Sequence, residues 1–194
     1  MPARKKVLLA FGTRPETIKM APVWRALRAR PETFDARVVA TAQHRQMLDK
    51  ALADFGLTPE YDLDVMRDNQ DLFHITGQAL TGMRNVLDDF EPDCVLVQGD
   101  TTSTFVGALA AFYKRIPVGH VEAGLRTYNK YSPYPEEINR RLTGCLADFH
   151  FAPTERARQN LASEQVPESA ITEQLQIAIR PPMQALVAQA LRIQ

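Results

Sequence analysis

The sequence DCVLVQGDTTSTFVGALAAFYKRIPVGHVEAG, residues 93–124, decides the fold. Residues 93–98 form a short, strongly apolar run typical of a buried strand, and residues 117–121 form a second such run. The intervening residues 101–114 are rich in small side chains, which predicts a helix that can pack closely on a sheet. A strand, a helix and another strand in this order indicate a right-handed parallel crossover.

The same alternation continues in both directions from this unit. Further strands are predicted at residues 5–11, 35–41 and 149–151. Further helices are predicted at residues 16–30 (with a kink or late start at Pro22), 44–55, 72–90, 135–148 and 154–163. Apolar strands alternating with helices predict a Rossmann-like, doubly wound α/β fold, with a parallel sheet covered by helices on both faces. We expect one domain at residues 1–171, followed by a divergent tail at residues 172–194 that could form a short docked helix.

Composition excludes several classes of function. The 194 residues are 45% hydrophobic and carry 23 basic and 23 acidic side chains, so no strong overall field attracts nucleic acid or an acidic membrane. No apolar stretch approaches a transmembrane span, and the run at residues 7–11 is too short for a signal peptide. Cys94 and Cys145 lie in apolar surroundings without a CxxC spacing, which predicts two buried free thiols. We therefore expect a cytoplasmic protein with no nucleic-acid or membrane partner.

The first strand ends in GTRPE, residues 12–16, where ligands of doubly wound folds bind. The free N–H groups of the following helix, together with Arg14 and the nearby Lys19, could hold a phosphate or carboxylate. An ordinary capped turn with solvated basic residues explains the same pattern equally well, because the stretch is neither a GxGxxG nor a Walker motif.

Three carboxylates follow strand ends or begin a helix: Asp100, Glu122 and Glu136. A doubly wound sheet would bring them to one edge, where clustered carboxylates can serve as acid and base. Helix capping alone could explain Asp100, and the helix dipole could explain one glutamate of the Glu136-Glu137 pair. The His120-x-Glu122 spacing lacks a third ligand nearby, so we predict no metal.

Several long motifs, in order, resemble the bacterial non-hydrolysing UDP-N-acetylglucosamine 2-epimerases. They are FGTRPETIKMAP (11–22), TAQHRQMLD (41–49), QGDTTST (98–104), IPVGHVEAGLRT (116–127) and YSPYPEEINRRLT (131–143). The resemblance implies a GT-B architecture of two Rossmann-like domains, and a reaction that inverts C2 of the sugar without a cofactor. UDP is eliminated to leave 2-acetamidoglucal and is then added back, giving UDP-N-acetylmannosamine for cell-surface polysaccharide synthesis.

The resemblance also implies residue roles. Asp100, Glu122 and Glu136 match catalytic carboxylates of the family, and Arg14 and Lys19 match its basic substrate-binding residues. Positions that contact a second, activating UDP-N-acetylglucosamine are matched by Gln43, Gln46 and Gln70, although an arginine common beside the last is absent here. Relatives are dimers, so a homodimer is expected.

The likeness runs from about residue 6 to residue 171 and then stops. The family continues into a second domain that carries most uracil and diphosphate contacts. We therefore expect this chain to hold the N-terminal half of the site, to fold alone and to be inactive alone. A non-catalytic UDP-sugar or partner-binding fragment and a GT-B glycosyltransferase remain open as alternatives, and so does the hydrolysing outcome of related enzymes.

Overall fold

A computed structural model describes residues 3–41, 45–65 and 71–173, without the side chains of Arg45, Gln46 and Glu173. The strands are β1 (Lys5–Phe11), β2 (Phe34–Ala40), β3 (Tyr61–Asp62), β4 (Cys94–Gln98), β5 (Val118–Val121), β6 (Phe149–Ala152) and β7 (Ile171–Glu173). The α-helices are α1 (Arg14–Arg28), α2 (Arg45–Asp54), α3 (Leu72–Phe90), α4 (Thr102–Tyr113), α5 (Glu136–Leu146) and α6 (Glu155–Ser163). A short 3₁₀ helix, Glu168–Ala170, precedes β7.

All seven strands are parallel and lie in the order β3-β2-β1-β4-β5-β6-β7. The order reverses between β1 and β4, so the loops after these two strands flank a crevice at the carboxyl edge of the sheet. The predicted Rossmann-like, doubly wound α/β fold is confirmed. None of the described helices combines the length and the apolarity needed to cross a membrane.

Strand β1 shows how both faces of the sheet are covered. Val7, Leu9 and Phe11 belong to one core cluster with side chains of α1 and α2. Leu8 and Ala10 point the other way, into a cluster with side chains of α3 and α4. Alternate residues of one strand thus enter two separate cores, which is why the strand reads as a continuous apolar run.

The predicted close packing of the small-residue helix is confirmed at Gly107 of α4. A Cβ atom built on this glycine would lie 3.1 Å from Val97 Cγ1 and 3.5 Å from Ala10 Cβ. A larger side chain would push α4 away from β1 and β4. The loop at residues 99–101, which joins β4 to α4, would move with it.

Several details differ from the sequence predictions. Helix α1 begins at Arg14, earlier than expected, and continues through Pro22. Cys94 is buried as predicted, but Cys145 near the end of α5 is exposed, so the prediction of two buried thiols is wrong. Strand β3 was not predicted, because two residues carry no periodic signal. Strand β7 pairs with β6 as far as Glu173, two residues past the expected domain boundary.

Candidate active site

The turn between β1 and α1 is built around a buried carboxylate, Glu16. Its Oε2 accepts hydrogen bonds from the backbone N–H groups of Gly12 at 2.7 Å and Thr13 at 2.8 Å. Its Oε1 accepts from the hydroxyl groups of Thr101 at 2.6 Å and Thr104 at 3.1 Å. Burial raises the pKa of Glu16, and these hydrogen bonds oppose that rise. One side chain therefore joins the β1–α1 turn to the β4–α4 loop.

Lys19 of α1 reaches the end of β5. Its Nζ lies 2.6 Å from Oε1 and 2.5 Å from Oε2 of Glu122, which directly follows that strand. Gln98, the last residue of β4, donates from Nε2 to the same carboxylate. Glu122 adopts a left-handed backbone conformation, with φ of 66°. Helix α1 and the ends of the neighbouring strands β4 and β5 thus contribute to one set of contacts around this carboxylate.

Asp100 is half-buried on the β4–α4 loop and is paired with Arg140 of α5, whose Nη2 lies 2.5 Å from Oδ2. Burial raises the pKa of Asp100, the charge of Arg140 opposes the rise, and the charges of Glu136 and Glu122 add to it. The charges of the two other predicted carboxylates therefore both reach Asp100. Asp100 is not the helix cap, because the Thr101 side chain accepts the capping hydrogen bond instead.

These groups surround a small cleft of about 130 Å³ at the carboxyl edge of the sheet. It is lined by Lys19, Gly99, Asp100, Glu122, Leu125 and Arg140. Glu136 is partly buried at the start of α5, where it influences Asp100 but does not line the cleft. Arg14 is exposed at the first turn of α1, on the same edge and outside the cleft lining.

The neighbouring Glu137 has a different surrounding from Glu136. Its side chain is fully buried, and its two oxygens accept hydrogen bonds from the backbone N–H groups of Thr127 and Tyr128, each at 3.0 Å. Arg140 Nη1 lies 3.6 Å from Glu137 Oε2. Glu137 therefore anchors the long segment after β5 to the first turn of α5.

His120 on β5 points into the protein rather than toward a metal site with Glu122. Its Nε2 lies 2.7 Å from the carbonyl oxygen of Gly99, and burial lowers its pKa to about 3. The neutral ring therefore donates this hydrogen bond. In the part of the chain that the structure describes, no three His, Cys, Asp or Glu side chains are grouped as metal ligands.

The side chains of the three glutamines predicted to contact an activating nucleotide sugar lie outside the described part of the structure. Gln43 and Gln70 lie outside the described residues, and only the backbone of Gln46 is described, in α2. Their allosteric role stays a prediction.

Sequence reasoning missed four side chains that hold the site together: Glu16, Gln98, Glu137 and Arg140. Arg140 had a usable signal, because it lies four residues after Glu136 and so shares a helix face with it. Gln98 could have been suspected as a polar residue ending an apolar strand. No sequence pattern distinguished Glu137, which anchors a loop, from Glu136.

Comparisons with known proteins identify the family of this chain. A sequence model of the family described as UDP-N-acetylglucosamine 2-epimerase matches residues 25–174, well over half of the chain. The chain belongs to the UDP-N-acetylglucosamine 2-epimerase family. The family member from Yersinia pestis is 60% identical over 166 residues, and that from Escherichia coli K12 is 58% identical over 166 residues. Each match covers 86% of this chain and 44% of the relative, corresponding to its N-terminal part.

Solved structures of epimerase family members superpose on the chain. The enzyme from Neisseria meningitidis bound to UDP-GlcNAc has a TM-score of 0.84 and 53% identity, covering 97% of this chain and 50% of the other. The enzyme from Methanocaldococcus jannaschii in complex with UDP-GlcNAc and UDP has a TM-score of 0.80 and 38% identity, covering 88% and 46%. MurG of Acinetobacter baumannii, at 17% identity and a TM-score of 0.57, shares the fold alone. The chain thus spans about half the length of the epimerases it matches.

Proposed function

We propose that this chain supplies the N-terminal Rossmann-like domain of a non-hydrolysing UDP-N-acetylglucosamine 2-epimerase, which forms UDP-N-acetylmannosamine as a precursor of cell-surface polysaccharide. Family membership supports the reaction class. The observation that carries the proposal is the convergence of Asp100, Glu122 and Glu136 beside one cleft, with Lys19 in contact with Glu122.

The reaction needs groups that move a proton at C2 of the sugar. In the forward step a base removes the C2 proton, the electron pair forms a C1–C2 double bond, and the C1–O bond to UDP breaks. In the return step UDP adds again at C1, and an acid delivers a proton to the other face of C2. Two carboxyl groups whose surroundings separate their proton affinities suit this pair of steps.

Asp100 and Glu122 have different surroundings. Asp100 is half-buried beside other carboxylates, which raises its pKa and makes it a suitable group for holding a proton. Glu122 accepts hydrogen bonds from Lys19 and Gln98. Glu136 completes the set from the start of α5. We assign proton transfer to these three residues.

Arg14 and Lys19 are proposed to bind the diphosphate. Both lie on the first two turns of α1, near the positive end of the helix dipole. Lys19 already contacts a carboxylate at the cleft, so it can shift between Glu122 and an incoming phosphate. Arg14 projects from the same edge as an exposed guanidinium, which matches phosphate with two parallel hydrogen bonds.

The cleft formed by the described residues is too small to enclose the substrate. It measures about 130 Å³, whereas pockets that bury small ligands usually hold roughly 300–1,000 Å³. A nucleotide sugar would remain largely solvated in it, and the glucal intermediate would be free to leave. We therefore propose that the chain needs a further wall, of the kind present in relatives twice its length, for turnover.

A chimeric enzyme tests the function directly. Residues 1–173 replace the matching N-terminal part of the Yersinia pestis relative, and inversion at C2 of UDP-N-acetylglucosamine is followed by NMR. We expect the chimera to be active and the 194-residue chain alone to be inactive. Binding without inversion in the chimera would instead support a non-catalytic UDP-sugar-binding module.

Two further expectations from the sequence stay predictions: the homodimer and the cytoplasmic location. Sedimentation of the chimera would test the first of these.

A further inference from the structure

Arg140 holds a central position that the family comparison does not explain. It lies on α5, one turn after Glu136, and is 9% exposed. Its guanidinium lines the cleft beside Asp100. A buried arginine is costly unless its charge is compensated, so its partners indicate what it does.

Those partners belong to two different loops. On one side, Nη2 donates to Asp100 on the β4–α4 loop at 2.5 Å. On the other side, Nη1 lies 3.6 Å from Glu137, which holds the backbone of Thr127 and Tyr128. The guanidinium is therefore the link between the loop that carries Asp100 and the segment that follows Glu122.

The three guanidinium nitrogens of Arg140 differ in their surroundings. Its Nε is buried and has no hydrogen-bond partner among the described residues. The guanidinium is therefore oriented by its two terminal nitrogens, and the carboxylates of Asp100 and Glu137 determine where it lies. A residue needed only for packing would not require a charged fork in this position.

We propose that Arg140 is the positioning residue for Asp100, fixing that carboxylate at the cleft wall and coupling it, through Glu137, to the segment after β5. The functional importance of placing Asp100 rests on the function proposed above. The coupling itself is a property of this chain and can be measured without any substrate.

Four charged groups face or influence Asp100. Arg140 and Glu136 come from α5, Glu122 follows β5, and Lys19 of α1 lines the same cleft. Of the contributions acting on Asp100, burial, Glu136 and Glu122 raise its pKa, whereas Arg140 lowers it. Loss of the Arg140 charge should therefore move the titration of Asp100 to higher pH.

The test is an NMR titration of the 194-residue chain labelled with ¹³C at the aspartate carboxyl carbons, with Asp100→Asn used to assign the Asp100 signal. The variants are Arg140→Gln and the matched control Arg141→Gln, which removes the same charge from an exposed neighbour on the same helix. We expect an upward shift of the Asp100 titration in Arg140→Gln and a smaller one or none in Arg141→Gln. Arg140→Lys should return the titration toward the wild-type position.

Equal titration of Asp100 in folded Arg140→Gln and Arg141→Gln would overturn the proposal. If Arg140→Gln does not fold, Arg140→Met takes its place, with Arg140→Lys kept as the rescue variant. An Asp100 signal with the same shift and titration as wild type in folded Arg140→Met contradicts the proposal. An inactive chimera, by contrast, would count against the proposed function and leave this titration unaffected.

Discussion

The turn at residues 12–16 and the longer segment at residues 122–135 lie at the same edge of the sheet and are anchored in the same way. Each is followed by a helix whose first turn contains a buried glutamate, Glu16 in α1 and Glu137 in α5. Each glutamate accepts two hydrogen bonds from backbone N–H groups of the preceding loop. They differ in what lies beside the anchor: the short turn has the exposed Arg14, and the long segment has the partly buried Glu136.

The comparison separates two roles that a glutamate at a helix start can have. A fully buried carboxylate that bonds to the preceding backbone fixes the shape of a loop and has no free oxygen for a substrate. Glu136, its partly exposed neighbour, makes no such bonds among the described residues and so can take part in chemistry. Glu136 and Glu137 are adjacent in sequence, yet only Glu136 is proposed for proton transfer.

The largest expected effect on stability is at the long-segment anchor. Glu137→Gln should lower the free energy of unfolding by about 3 kcal/mol, because it removes one charge from a buried pair with Arg140. Glu136→Gln should change it by less than about 0.5 kcal/mol, since that side chain is only partly buried. Urea denaturation of the two variants measures the difference, and equal losses would remove the distinction between anchor and functional residue.

A smaller loss is expected in the short turn. A Cβ atom at Gly12 would lie 1.8 Å from Thr41 Oγ1, in a fully packed site where that hydroxyl contacts Ser103 at 2.8 Å. Gly12→Ala should therefore cost about 1–3 kcal/mol of unfolding free energy. The control Gly77→Ala, in α3 with nothing within 4 Å, should gain about 0.5–1 kcal/mol. A neutral result for Gly12→Ala would mean that the turn is less tightly packed than described.

Acid should lower the free energy of unfolding through two buried histidines, His120 on β5 and His150 on β6. Burial lowers the pKa of His120 to about 3 and that of His150 to about 4, both below the ordinary 6.5. Between its pKa in the folded protein and 6.5, each histidine binds a proton in the unfolded chain but not in the folded one. The stability that is present above pH 6.5 is therefore lost as the pH falls, by about 1.4 kcal/mol per pH unit for each histidine. His150→Phe should remove one histidine's share of the slope between pH 6 and 5. An unchanged slope in urea titrations would show that His150 is protonated in the folded protein.

The smallest effect concerns the residue beside the short-turn anchor. Arg14→Ala should raise KM for UDP-N-acetylglucosamine in the chimera roughly tenfold, the equivalent of one phosphate contact. Arg28→Ala at the other end of α1 is the control, because Arg28 stacks on Trp24 and lies 3.8 Å from Glu60. Steady-state kinetics of both variants measure this difference. Similar KM values for the two variants would exclude phosphate binding by Arg14.

The sequence predicted most of the fold because its strands are continuous apolar runs bounded by glycine, proline or polar residues. The predicted bounds of β1 and α3 coincide with those in the structure. Strand β3 escaped prediction because two residues have no pattern, and its pairing with β2 is a tertiary contact. Helix α1 began earlier than predicted because the bonds between Glu16 and the N–H groups of Gly12 and Thr13 stabilise an extra half-turn.

The candidate site was predictable only as a set of residue types at strand ends. The topology of parallel strands brings such residues together, so the clustering of Asp100, Glu122 and Glu136 followed from the fold. The pairing of each carboxylate with a basic side chain depends on how far side chains reach between separate parts of the chain. Lys19 pairs with Glu122, and Arg140 pairs with Asp100. Local sequence does not encode those distances.

Solvent deuterium exchange at C2 tests most directly whether the three carboxylates move the proton. The chimera is incubated with UDP-N-acetylglucosamine in D₂O, and deuterium at C2 is followed by NMR for wild type, Asp100→Asn, Glu122→Gln and Glu136→Gln. Glu32→Gln, an exposed glutamate preceding β2, is the control. We expect each of the three carboxylate variants to slow exchange by about 10²-fold, the usual scale for acid–base groups, and the control to match wild type. Exchange at wild-type rates in all three folded carboxylate variants would contradict their assignment to proton transfer.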